Sequence, residues 1–197
     1  MIRLIFRLLF WLKGWTMNVH EEVDLEQVKR SVALAAPHTT NWDLVFAVEG
    51  CRQVGVKLRF AIKREWMRFP LNIAIRPMGG IGIDRRPKDG RTKKLSMVEA
   101  MANLFKTRDE LVVMVPPEGT RSKVEQWRTG FYYTALEAGV PITLCYLDFK
   151  HKVAGIGKVL HPTGDVEKDM REIMDFYKQY GQYPKFPEMF SLDQRYI

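Results

Sequence analysis

A chain of 197 residues that is 46% apolar and 27% charged fits a single domain with a core of its own, and excludes a disordered tail. Its formal net charge of +8 points to an anionic partner: phospholipid headgroups, a phosphorylated small molecule or nucleic acid. The two cysteines, Cys51 and Cys145, sit in apolar stretches without metal-ligand or redox spacing, as expected of buried thiols in a chain that faces the cytosol.

Residues 2–12 are strongly apolar but interrupted by Arg3 and Arg7, with Lys13 just before Gly14. A spanning helix needs about 20 mainly apolar residues, so this segment is too short to cross a bilayer. At about 100° per residue the arginines share one stripe and the Leu, Ile and Trp side chains another. Residues 1–15 are therefore expected to form an amphipathic helix lying in the interface, its cations toward an anionic membrane surface. A first helix packed onto the domain is the plainer alternative. A signal sequence fits less well, because no small-x-small site follows the apolar run.

From residue 16 to 197 the sequence reads as one α/β domain, with no internal repeat, low-complexity segment or Gly/Ser linker. Val32 to Ala36 is a short buried strand ending at Pro37, and Asp43 to Val54 a helix stopping near Gly55. Val56 to Lys63 follows as a strand, Glu65 to Ile75 as a helix breaking before Pro77, and Ile81 to Ile83 as a short strand. Thr92 to Lys106 has helical periodicity through Leu95, Val98, Met101, Ala102 and Phe105. Leu111 to Val115 is an all-apolar strand, Thr129 to Ala138 a helix ending at Gly139, and Ile142 to Leu147 another apolar strand. The tail after Gly181, rich in Pro and aromatics, is expected to be irregular and to wrap the surface. Strands alternating with helices, and strands apolar throughout, predict a largely parallel central sheet flanked by helices. In such a sheet the loops leaving the carboxyl ends of the strands build the site.

Three segments fall on those loops. In Pro37-His38-Thr39-Thr40-Asn41-Trp42-Asp43, a histidine precedes a carboxylate by five residues at a helix start. Asp43 can accept from one imidazole nitrogen and leave the other basic for a hydroxyl proton. The residues alone also allow a plain reading, with His38 a loop hydrogen-bonder and Asp43 a helix-start carboxylate. In Val115-Pro116-Pro117-Glu118-Gly119-Thr120-Arg121-Ser122, Gly119 permits close backbone approach and Arg121 offers a planar fork for phosphate. Glu118 could hold that fork or a nearby backbone in place, the plainer reading being a simple Glu–Arg pair within the turn. In Gly79-Gly80-Ile81-Gly82-Ile83-Asp84-Arg85-Arg86, the glycines precede the strand instead of linking it to a helix, so this is no dinucleotide or Walker loop. Around it runs a basic belt: Lys57, Arg59, Lys63, Arg64, Arg68, Arg76, Arg85, Arg86, Lys88, Arg91, Lys93 and Lys94, opposed only by Glu65, Asp84 and Asp89.

Taken in order, these segments resemble the HxxxxD-type glycerolipid acyltransferases, the family that includes the 1-acylglycerol-3-phosphate acyltransferases. His38 and Asp43 match the first block, Gly80 to Arg85 the second, Pro117 to Arg121 the third, and Val140-Pro141-Ile142 the start of the fourth. Lys63-Arg64-Glu65 followed by Pro70 is similar to the family's Lys-x-Glu segment between the first two. The resemblance covers roughly residues 30 to 150. Departures fall at Gly82, at Pro116 and after Ile142, where they bear on the acceptor and not on the chemistry.

The resemblance implies direct acyl transfer from the thioester of acyl-CoA or acyl carrier protein to the hydroxyl of a lysophospholipid-like acceptor. The first expectation is 1-acylglycerol-3-phosphate, giving phosphatidic acid. His38 would be the general base and Asp43 its orienting partner. Lys63, Arg85 and Arg121, with the Glu118-Gly119-Thr120 turn, would bind the acceptor phosphate. Backbone amides near the helix start would be candidate oxyanion donors. No metal or organic cofactor is implied, and the work would be done at the cytoplasmic face of a membrane. Two competitors come from other classes. A non-catalytic module binding anionic lipid explains the N-terminal helix and the basic belt but not the placement of His38, Asp43, Glu118 and Arg121. Nucleic-acid binding explains the charge, but no helix-turn-helix, finger or RNP-like pattern accompanies it.

Overall fold

Seven strands form one sheet: β1 (Thr16–Val19), β2 (Arg30–Ala35), β3 (Leu58–Lys63), β4 (Gly80–Ile83), β5 (Leu111–Val115), β6 (Ile142–Asp148) and β7 (Val153–Leu160). The computed structural model describes residues 2–85 and 95–197, and only the backbone of Lys63. Arg86, Lys88, Arg91, Lys93 and Lys94 of the basic belt, and the expected helix start at Thr92, lie outside the described residues. The strand order is β1-β7-β6-β2-β5-β3-β4. β6, β2, β5, β3 and β4 run parallel, while β7 pairs antiparallel with β6 and β1 parallel with β7. The expected single α/β domain with a largely parallel sheet is therefore the fold, with two reversed strands at one edge.

The apolar strands of the middle are covered on both faces, and successive residues serve opposite sides. Val32, Leu34 and Ala36 pack with α5 (Met97–Phe105), α6 (Gly130–Ala138) and α7 (Val166–Tyr180) in the larger core. Ala33 and Val112 face the other way, toward Phe6 of α1 (Ile2–Leu12), Val28 of the short α2 (Leu25–Val28) and Val48 and Cys51 of α3 (Trp42–Gln53).

Most expected elements lie within a few residues of their sequence positions. The segment from Glu65 to Ile75 differs: a 3-10 turn at Arg64–Met67 ends, and α4 begins only at Asn72 and runs through Pro77 to Met78. Pro70 lies at that break, where the residue before a proline is pushed out of the helical region. Pro77 sits in the last turn of a seven-residue helix, where its missing N–H forfeits a single bond. The described part of α5 starts at a complete capping box between Ser96 and Glu99. β1, α2, β7 and α7 are additional to the expected elements.

Helix α1 has three faces instead of two. Phe6 and Phe10 are buried against the domain, Phe10 at 6.4 Å from the Phe46 ring of α3. Leu4, Leu8, Trp11 and Leu12 are exposed on the opposite side. Arg3 and Arg7 line a groove against Glu49, Arg52 and Gln53 of α3. None of the helices of the described residues is long and apolar enough to cross a membrane.

The irregular tail wraps the surface as expected, and it braces the loop ahead of α6. Asp193 Oδ2 accepts from the backbone N–H of Trp127 at 2.9 Å, and Arg195 donates to the Trp127 carbonyl at 2.8 Å. The backbone N–H of Phe186 donates to Thr39 Oγ1 at 3.4 Å, so the tail also reaches the loop bearing His38.

Candidate active site

Parallel strands deliver their carboxyl ends to one edge, and β2, β5, β3 and β4 are neighbours there. His38 follows β2, the Pro117–Arg121 turn follows β5, Lys63 ends β3 and Arg85 lies two residues past β4. Lys63 is in register with Ile83, so its backbone lies beside the strand end that leads to Arg85.

The imidazole of His38 is held by Asp43, the second residue of α3, with Nδ1 to Oδ2 at 3.0 Å. The same Oδ2 accepts the backbone N–H groups of Thr39 and Thr40, each at 2.9 Å. An oxygen gathering two amide hydrogens acts as an acceptor, so the imidazole donates from Nδ1 and carries its lone pair on Nε2. Nε2 has no partner among the described residues, and about a quarter of the side chain is open to solvent. Asp43 itself is 6% exposed.

Glu118 faces the main chain of the histidine loop. It is 5% exposed, and its Oε1 accepts the backbone N–H of His38 at 3.0 Å. It therefore fixes the main chain under the histidine, while Asp43 fixes the ring. Burial pushes its carboxyl up to about 7, overcoming the opposing hydrogen bonds from backbone amides. Its Oε2 has no partner among the described residues.

The amides of His38, Thr39 and Thr40 are all spent on Glu118 and Asp43. Those three amides of the loop ahead of α3 are consequently not free to hold an oxyanion; the expectation of donors near the helix start named no particular residue.

The cations of the site divide. The Arg121 guanidinium donates to Asn41 Oδ1, tying the third block to the histidine loop, and it does not pair with Glu118. Arg85 is exposed and donates to the Leu95 carbonyl at 2.8 Å, away from the residues that line the cavity described below. Thr120 is exposed, its hydroxyl accepting from the Ser122 backbone N–H at 3.3 Å. Gly119 has φ +67°, and a Cβ there would stand 2.7 Å from Nε of Arg128. Arg128 was not recognised in the sequence, since it lies outside the matched block. Its backbone N–H bonds to the Pro117 carbonyl at 2.8 Å, and its side chain lies across Gly119 with no ion pair among the described residues.

Beside His38 opens a cavity of about 920 Å³. Arg128 and Gly119 line it near His38, and Leu44, Cys51, Leu58, Met114 and Cys145 line it along the sheet. Phe6 of α1 and Met78 of α4 bound it as well. Burial raises the thiols of Cys51 (to about 12) and Cys145, so both are inert apolar lining. No group of three or more His, Cys, Asp or Glu among the described residues is arranged to hold a metal ion.

The arrangement is thus a histidine with a fixed tautomer and an open basic nitrogen, at the mouth of an apolar cavity that Arg128 lines. The chain matches the family described as Acyltransferase over residues 16–147. No curated protein matches the sequence. Among solved structures, the fold is similar to the crystal structure of the 1-acyl-sn-glycerophosphate (LPA) acyltransferase PlsC from Thermotoga maritima. The TM-score is 0.57 at 18% identity, over 90% of this chain and 76% of that one. With two thirds of its length matched to the family, this chain belongs to the acyltransferases.

Proposed function

We propose that the protein transfers a fatty acyl group from acyl-CoA or acyl carrier protein to a lysophospholipid-like acceptor, 1-acylglycerol-3-phosphate being the favoured one, yielding phosphatidic acid. The observation that carries this reading is the unpartnered Nε2 of His38 beside an apolar cavity of about 920 Å³. That volume is in the usual range of small-molecule sites, and its Leu, Met, Phe and Cys lining suits a hydrocarbon chain.

In this reading Nε2 takes the proton of the acceptor hydroxyl as its oxygen attacks the thioester carbonyl carbon. The carbonyl electrons move onto oxygen, and Asp43 stabilises the imidazolium that has formed. The electrons then return, the carbon–sulfur bond breaks, and the imidazolium proton goes to the departing thiolate. No acyl-enzyme forms and no cofactor takes part. Arg121 and Arg128, with Lys63 at the neighbouring strand end and Arg85 once it leaves the Leu95 carbonyl, bind the acceptor's phosphate, an anion that suits guanidinium forks. The protein attaches to the cytoplasmic leaflet through α1, whose outer Leu and Trp side chains are exposed.

The test is release of free thiol from acyl-CoA, followed with a thiol-reactive dye, across a panel of lysolipids with and without a phosphate headgroup. Thiol release dependent on a phosphorylated lysolipid is expected. A protein that binds anionic vesicles but releases no thiol with any acceptor or donor would instead be a lipid-binding module.

A further inference from the structure

Segment 66–73, between β3 and the body of α4, presents Trp66, Phe69, Leu71 and Ile73 to solvent, Phe69 with 79% of its surface open. Single exposed apolar residues are ordinary, but four large ones within eight positions are not. The inner side of α4 is apolar too. Met78 lines the cavity, and Ile75 packs so closely on β4 that a Cβ on Gly80 would lie 2.2 Å from its Cγ2. A short surface helix with apolar side chains on both faces breaks the usual amphipathic rule, so the outer face lacks its environment.

That face does not stand alone, because α4 packs against α1, whose outer side is also apolar and exposed. Cations border both: Arg3 and Arg7 on α1, Arg68 and Arg76 on the second segment, all exposed and without an ion pair among the described residues. Aromatic and aliphatic side chains ringed by exposed arginines complement the surface of an anionic leaflet, where the rings enter the headgroup boundary and the cations meet phosphates. Moreover, the inner sides of these two helices supply Phe6 and Met78 to the cavity that would hold an acyl chain.

We propose that Trp66, Phe69, Leu71 and Ile73 form, with the outer face of α1, one two-part docking surface for an anionic bilayer. The proposal rests on the reading that α1 attaches the protein to a membrane, and extends it to a second element that the sequence did not single out. Two contacts set the protein's tilt, which a single helix cannot, and they turn the cavity's α1–α4 end toward the leaflet.

The experiment is co-sedimentation of the full chain with vesicles of phosphatidylcholine and phosphatidylglycerol in equal parts. Wild type is compared with Phe69→Glu/Ile73→Glu and with Leu8→Glu/Trp11→Glu, all exposed positions that leave the core intact. Each pair is expected to lower the partition coefficient by roughly a hundredfold. In vesicles with brominated acyl chains, wild-type tryptophan emission should be quenched, and Trp66→Phe should remove part of that quenching. Wild-type partition by Phe69→Glu/Ile73→Glu, with loss in the α1 pair, overturns the two-part surface and leaves the α1 reading standing. The opposite pattern removes the α1 reading on which the proposal rests. A dimer in solution that Phe69→Glu/Ile73→Glu dissociates, with partition unchanged, makes a second copy the occupant and also overturns the proposal. Absence of thiol release in all three proteins, with the expected partition pattern, would strike the enzymatic reading alone and leave the docking surface supported.

Discussion

Glu118→Gln separates support of the histidine from chemistry. Glu118 is 5% exposed, with its carboxyl raised by burial from 4.5 to about 7. Between those values the unfolded chain has released this proton while the folded chain still holds it. Stability therefore falls as pH rises through that window, at about 1.4 kcal/mol per pH unit. The whole decline attributable to this residue comes to about 3 kcal/mol, complete above pH 7. Glutamine cannot ionise, yet its oxygen still accepts the His38 N–H that Glu118 receives at 3.0 Å. Denaturant unfolding followed at a series of pH values should show the variant gaining on wild type from pH 4.5 to 7, then staying ahead by a constant margin. Its turnover should remain within a few-fold of wild type, whereas Glu118→Ala, which strips the His38 amide of its acceptor, should lose most of it. Parallel stability profiles for Glu118→Gln and wild type would refute the burial argument. Wild-type turnover by Glu118→Ala would refute the supporting role.

Three further outcomes follow from the same geometry. Gly119→Ala places a side chain at φ +67° and against Arg128, so a loss of about 1–2 kcal/mol is expected, seen as a drop of roughly 2–8 °C in Tm. Arg128→Ala should raise the KM of a phosphorylated acceptor by about ten- to a hundredfold and leave Tm unchanged; an equal rise for an acceptor without phosphate would contradict its assignment. Phe10→Ala removes a side chain only 1% exposed and should cost about 3–5 kcal/mol in denaturant unfolding, because α1 is packed into the fold.

The parallel half of the sheet was legible because its strands are apolar throughout and bounded by Pro or Gly. α7 announces itself as plainly: Asp165 caps it, and Met170, Ile173, Met174 and Tyr177 recur at helical spacing. β1 and β7 are different, since β1 is four residues long and β7 holds two glycines, so each is defined by its pairing, β7 chiefly with β6 and β1 with β7. His38 and Asp43 could be paired from spacing because the loop between them is short. Glu118 could not be placed, because a carboxylate in a polar turn reads the same whether it faces a ligand or the main chain 80 residues away. Arg128 was invisible for a related reason: only the closeness of its side chain to the Cα of Gly119 reveals that it crosses the turn. An exposed apolar face of α1 and its packing onto the domain were anticipated as alternatives, whereas the helix does both, Phe6 and Phe10 anchoring it to α3 and the sheet.

The central claim, that His38 Nε2 is the base for acyl transfer, is met most directly by His38→Ala in a purified thiol-release assay. The ring is partly exposed and contributes one hydrogen bond, to Asp43, so the variant should fold and bind vesicles as wild type does. Turnover should fall by about 10²–10⁴-fold with little change in either KM. A folded His38→Ala protein that releases thiol at the wild-type rate would contradict the account.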